Sequence, residues 1–197
     1  MKRLITAAAL LLTVCLLAGC TAPGTGGGRS TGPTERKTSA PETQPPIPSG
    51  YARYTIENFG LSVPDSFNPF TSGDKSNLLA LNDRAAQIYV RKCTAADTGT
   101  DESYFNRLSA AEYCDLYCAV KGITDCETIT SHAKRSAAVR YTVPGDSDDT
   151  TAVFSLYFIR DTDHGCVWLV RTRHTLNTQE TYDGLFEELT YWMSAAE

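Results

Sequence analysis

Histidine is scarce in this chain: among 197 residues only His132, His164 and His174 offer an imidazole base. That scarcity narrows hydrolase chemistry, because a serine or cysteine nucleophile needs a base within hydrogen-bond reach. The motifs that assemble such groups are missing too. There is no strand-turn-helix nucleophile elbow, no His-Glu-x-x-His zinc-protease helix and no Cys-x-x-Cys pair. Positive charge is in deficit, with 18 Lys and Arg against 23 Asp and Glu and a formal net charge of −5. A chain of that sign does not neutralise a phosphate backbone, so nucleic acid is excluded as a partner. Long apolar runs are absent as well. The best, residues 4–17, is interrupted by Thr6 and Thr13 and is shorter than the roughly 20 residues that span a bilayer.

What that short run does offer is a secretion signal. Lys2 and Arg3 form a positive start, the apolar stretch follows, and small residues lead into Leu17-Ala18-Gly19-Cys20. The last four residues resemble the bacterial lipobox. The resemblance implies cleavage between Gly19 and Cys20 and a diacylglycerol on the Cys20 thiol, with residues 1–19 as the removed signal peptide. An N-terminus so modified anchors stably to the outer face of the cell membrane without crossing it. Losing Lys2 and Arg3 makes the remaining chain still more acidic.

Residues 20–50 read as a disordered tether. Gly24-Thr25-Gly26-Gly27-Gly28 is followed by dense Ser, Thr and Pro, ending in Pro45-Pro46-Ile47-Pro48-Ser49-Gly50. As a flexible chain it has a root-mean-square span of roughly 30 Å and a full stretch on the order of 100 Å. The glycines do not make a phosphate-binding loop, since neither a strand nor a helix flanks them.

From Tyr51 the pattern changes, and residues 51–197 have the length and apolar content for a single α+β domain. Residues 54–57 and 61–63, joined by Asn58-Phe59-Gly60, predict a hairpin. Residues 78–81 and 87–91 predict a second strand pair across Asn82-Asp83-Arg84. Ser109-Ala110-Ala111-Glu112 has capping-box spacing, and Tyr113, Leu116, Tyr117 and Val120 then repeat at helical intervals up to Gly122. Four strands are expected at 126–133, 137–143, 151–160 and 166–174, linked by short turns. A last helix is expected with Asn177 as N-cap, Glu180 at its third position, and Tyr182, Leu185, Phe186, Leu189, Trp192 and Met193 as an apolar stripe. The stretch from Tyr54 to Phe67, the helix opening at Ser109, the strand meander and the terminal helix resemble the PsbP/DcrB-like fold. That resemblance implies an antiparallel β-sheet flanked by helices, an α/β/α sandwich. It carries no catalytic motif across.

Candidate chemistry in the domain begins with its five cysteines, Cys93, Cys114, Cys118, Cys126 and Cys166. Five thiols allow two disulfides and one free group, or none at all. Cys114 and Cys118, four residues apart on one helix, are spaced more like a pair of metal ligands than a disulfide, but also suit a helix–sheet interface. A thiol-dependent enzyme or small hydrolase would pair Cys166 or another cysteine with His164 or His174. Asp163-His164 is the most suggestive neighbour pair, although turns commonly hold both residue types. The acidic turn Asp146-Ser147-Asp148-Asp149 lacks the spacing of a calcium loop. Tyr51, Tyr54, Phe59, Phe67 and Phe70 suit either a core or a partner-facing patch. The expectation is a non-enzymatic binding or accessory module, without metal or cofactor, that recognises a protein or small-molecule ligand. The alternative is the Cys/His enzyme.

Overall fold

The structure, a computed structural model, describes residues 45–195. The expected signal peptide, Gly19, Cys20 and the expected tether as far as residue 44 lie outside the described residues. Within residues 45–50, the Pro45 carbonyl accepts a hydrogen bond from Trp192 Nε1 at 2.9 Å.

The opening hairpin forms as expected, β1 (Tyr51–Ile56) against β2 (Phe59–Pro64). The main sheet follows with β3 (Asn68–Pro69), β4 (Leu79–Asn82), β5 (Gln87–Cys93), β6 (Cys126–Thr128), β7 (Ser136–Val143), β8 (Ala152–Asp161) and β9 (Cys166–Thr175). These seven strands are antiparallel in the order β3-β4-β5-β9-β8-β7-β6. A short β10 (Ser194–Ala195) pairs with β2 to make a separate three-stranded sheet. The helices are α1 (Glu102–Phe105), α2 (Ala110–Lys121) and α3 (Gln179–Leu189). β8 and β9 lie between other strands and are buried on both faces, which is why they read as nearly continuous apolar runs.

Each face of the main sheet has its own core. On one, Val90, Tyr157, Trp168 and Val170 are covered by Phe59, Leu61 and Val63 of β2 and by Phe186 and Leu189 of α3. On the other, Val167, Leu169 and Phe158 are covered by Tyr113, Cys114, Tyr117 and Cys118 of α2. The α+β class and the helix–sheet–helix layering are therefore as expected. One outer layer is shared between α3 and the three-stranded sheet.

α2 starts on the capping box, with Ser109 Oγ accepting from Glu112 N and Glu112 Oε2 accepting from Ser109 N, and stops at Gly122 at φ 67. Its buried stripe is rotated from the expected one. Ala110, Tyr113, Cys114, Tyr117 and Cys118 face the sheet, whereas Val120 is 54% exposed. Cysteine here behaves as a small apolar residue.

Two further expectations need correcting. The strand expected at 126–133 ends at Thr128, because His132 leaves the sheet edge: its backbone N–H donates to Thr190 Oγ1 at 2.8 Å and its ring stacks on Tyr191 at 3.9 Å. Asn177 does not cap α3. A 3-10 turn over Leu176–Thr178 precedes the helix, and Asn177 Nδ2 donates instead to Asp149 Oδ1 at 2.7 Å. The apolar stripe then leaves the α-helix at Leu189 and continues through a 3-10 turn and β10, held by Arg53, whose Nη1 donates to the Trp192 carbonyl at 3.0 Å.

Candidate functional site

α2 is too short to cover its face of the sheet. Twelve helical residues rise about 18 Å, while the ten-residue strands β8 and β9 run about 33 Å. Beyond the C-terminal end of α2 the sheet is left open as a cleft of about 570 Å³. Tyr89 and Arg91 of β5, Leu169 and Arg171 of β9 and Leu156 of β8 line it, with Tyr117 and Lys121 of α2 on one side and Tyr141 and Val143 of β7 on the other. Strand register sets this surface. Tyr89 lies opposite Arg171, and Arg171 opposite Leu156, so alternate residues of three neighbouring strands point the same way.

The cleft is cationic in an acidic protein. Arg91 is committed, with Nη2 2.5 Å from Asp97 Oδ1 and its guanidinium 5.7 Å from the Tyr117 ring centroid. Arg171 lies over Tyr89 at 4.6 Å and, among the described residues, makes no direct ion pair; the exposed Asp74 feels its charge at longer range. Its Nε is withdrawn from solvent without a partner. Lys121 Nζ lies 5.6 Å from the Tyr117 centroid, also with no acid in direct contact among the described residues. Burial raises the Tyr117 and Tyr141 phenols above their ordinary value, so both are neutral at pH 7. Two acids line the cleft, and both are exposed. Asp74 Oδ1 is occupied by the backbone and hydroxyl of Ser76 at 2.9 and 2.7 Å. Asp125 lies in the turn after α2. The arrangement can hold an anion or a flat molecule.

The sequence-predicted site residues lie elsewhere. Cys166 and His164 do come together, at the β8–β9 turn on the opposite face, through the buried carboxylate of Asp161. His164 Nδ1 is 2.9 Å from Asp161 Oδ2, and Cys166 Sγ is 3.9 Å from the same oxygen. Asn58 Nδ2 also donates to Asp161. Cys166 thus meets a carboxylate, and no hydrogen bond joins it to either His164 or His174 among the described residues. Burial, and then the charge of Asp161, push its thiol up to about 11, the reverse of an activated nucleophile. Asp163, the partner expected for His164, instead donates its backbone N–H to Asp161 Oδ1 at 3.1 Å.

Cys114 and Cys118 are packed between α2 and the sheet, and burial raises both thiols. No group of three or more potential ligands poised to hold a metal includes them among the described residues. His174 is 1% exposed under α3, and burial lowers its imidazole below the ordinary value despite Asp183, 3.2 Å from Nε2 but off the hydrogen-bond direction. All five thiols of the domain are free, and only Cys126 is exposed. Iodoacetamide is therefore expected to alkylate Cys126 well ahead of Cys93, Cys114, Cys118 and Cys166 in the folded protein. Timed labelling with peptide mass spectrometry checks this, and prompt labelling of Cys166 would revive a thiol-dependent mechanism.

The remaining candidates are structural. The Asp146 to Asp149 turn is exposed and tied through Asp149 to Asn177. Phe59 and Phe67 are core residues, Tyr51 and Tyr54 pack against that core, and Phe70 meets Tyr89 edge-on at 5.8 Å. Arg91, Arg171 and Lys121 were missed by sequence reasoning. The signal for two of them was there, in a cation set among apolar residues of each strand: Arg91 after Ile88-Tyr89-Val90, and Arg171 after Val167-Trp168-Leu169-Val170.

No protein-family model matches the chain, and no curated protein matches it. Among solved structures, the Ran-binding protein Mog1p of Saccharomyces cerevisiae is similar at a TM-score of 0.48 and 10% identity, over 75% of this chain and 96% of that one. The cyanobacterial PsbP of Synechocystis is similar at 0.42 and 15% identity, over 74% and 92%. LpqN of Mycobacterium tuberculosis, a protein involved in cell envelope biogenesis, is similar at 0.41 and 7% identity, over 71% and 83%. The α+β class follows from the strand register and the two packed faces of this chain.

Proposed function

We propose that the chain is a non-enzymatic binding module, held by lipid at Cys20 to the outer face of the cell membrane, which presents the cleft beside α2 to a ligand. The observation that carries this reading is Arg171: a cation on a central strand, resting on Tyr89, uncovered by α2 and in no direct ion pair among the described residues. A guanidinium in that position keeps N–H donors available to whatever enters the cleft. Cys93, Cys114 and Cys118 are buried, the last two under α2, His174 is buried under α3, and Cys166 and His164 are engaged with Asp161. The anchor is supported by Leu17-Ala18-Gly19-Cys20 and the Gly/Ser/Thr/Pro-rich stretch behind it. No helix among the described residues is long and apolar enough to cross a membrane.

The test is capture from native membranes with three forms of the full chain. The unaltered protein should stay in the membrane fraction and enrich a ligand. Cys20→Ala should leave that fraction. Val143→Trp, at a cleft-lining residue 46% exposed and outside the core, should stay anchored but lose the enrichment. Equal enrichment by Val143→Trp would defeat the cleft as the binding surface. Retention of Cys20→Ala in the membrane would defeat the lipid anchor.

A further inference from the structure

We infer that the cleft takes a small molecule bearing a carboxylate or phosphate, whose oxyanion sits on Arg171 and Lys121 while a flat remainder lies against Tyr117 and Tyr141. The inference rests on the reading of the cleft as the binding surface and adds the chemistry of what enters it.

Four features converge. First, the cations are sorted. Arg91 already holds Asp97 at 2.5 Å, whereas Arg171 and Lys121 line the same cleft with no acid in direct contact among the described residues. A planar guanidinium with free N–H donors matches two oxygens of one carboxylate or phosphate. Second, Arg171 is preorganised: Tyr89 supports one face of its guanidinium at 4.6 Å, and the side chain lies on a central strand paired on both sides. Little rotamer freedom is left to lose on binding. Third, the walls are flat and half apolar. Tyr117 and Tyr141, with Leu156 and Leu169 beneath, offer ring and aliphatic surface beside the charge. Fourth, the size fits. A volume of about 570 Å³ lies within the roughly 300–1,000 Å³ typical of small-molecule sites.

The two acids stand off from the floor, and Asp74 offsets the charges of Arg91 and Arg171 only at longer range. Asp74 is turned onto Ser76, and Asp125 is exposed in the turn after α2. An anion on the outer nitrogens of Arg171 would sit in a site partly shielded from solvent, where charged hydrogen bonds strengthen.

The test is a titration of the full chain with phenyl phosphate, benzoate, benzamide, benzylamine and inorganic phosphate, followed by NMR and calorimetry. Phenyl phosphate and benzoate should bind saturably and shift signals of Arg171, Lys121 and Tyr117. Benzamide and benzylamine should bind at least about tenfold more weakly, the scale of one charge-assisted contact. Inorganic phosphate should bind more weakly than phenyl phosphate, and equal affinity would overturn the role given to the tyrosine walls. Arg171→Met, which keeps the stem over Tyr89, should lose at least about tenfold for both aromatic anions, and Arg171→Lys should retain part of the affinity. Should Arg171→Met fail to fold, Lys121→Met, on the exposed end of α2, should still cost about threefold. Equal affinity across the charge classes, unchanged affinity in the substituted forms, or no saturable binding of either aromatic anion would overturn the assignment. Failure of these titrations leaves the cleft standing as the binding surface if Val143→Trp still abolishes capture from native membranes.

Discussion

Replacing Phe59 with alanine is expected to destabilise the domain by about 3–5 kcal/mol, the range for truncating a fully buried aromatic side chain. Phe59 is 0% exposed and stacks on Trp168 at 5.1 Å. It opens β2, lies opposite Ile56 in the hairpin and opposite Ala195 in β10, so one ring fastens the three-stranded sheet to the seven-stranded one. The void left by truncation cannot close, because both neighbouring strands are fixed in register by their own hydrogen bonds. Urea unfolding should show a lower midpoint with an unchanged slope. Val120→Ala is the control, expected within about 0.5 kcal/mol because that side chain faces water. A Phe59→Ala loss below about 1 kcal/mol would mean that the hairpin does not pack on Trp168.

The second large effect is expected at Asp161, whose replacement by alanine should cost about 2–4 kcal/mol by leaving several donors unpaired at once. The carboxylate is 2% exposed and accepts from the backbone N–H groups of Asp163 and His164 at 3.1 Å each. His164 Nδ1 and Asn58 Nδ2 complete the shell, so a single side chain binds the β8–β9 turn to the β1–β2 turn. Burial alone would raise this carboxyl, but the hydrogen bonds and charge of His164, with the backbone of Asp163, outweigh it and hold the group below its ordinary value. A carboxyl lowered on folding contributes stability that is fully present above the unfolded value near 3.9 and is lost as pH falls through the lower folded one. Asp161→Asn should therefore unfold at a lower urea midpoint at pH 7 and lose less on acidification below about pH 4 than the unaltered chain. An acid limb identical in both would show that the carboxylate contributes nothing through its charge.

These two residues also mark what was readable before the fold was known. The hairpin around Phe59, the strand pair at 78–91 and the capped helix from Ser109 to Gly122 announce themselves through local chemistry: turn residues, a reciprocal cap and a glycine stop. Where tertiary contacts decide, local reading misleads. Val120 fits the helical period but falls outside the face that meets the sheet, and the cysteines take its place. His132 leaves its strand for a partner 58 residues away, Thr190. Asn177 has capping chemistry but finds Asp149, 28 residues earlier.

The cleft was the least legible part. Tyr89, Tyr117 and Arg171 come from three elements, and nothing in their local sequence says that α2 ends short of them. Cys166 and His164 were close enough in sequence to be noticed as a pair. The structural residue that joins them, Asp161, ends β8, and nothing in its local sequence marks that role.

The most direct measurement is site-specific photo-crosslinking on the full chain in its native cells, with the photoreactive group at Thr124 on the cleft wall and, separately, at the exposed Glu180 of α3. A specific adduct is expected from Thr124, competed by phenyl phosphate, with none from Glu180. Adducts from Glu180 alone, or from both positions without competition, would contradict a ligand site in the cleft beside α2.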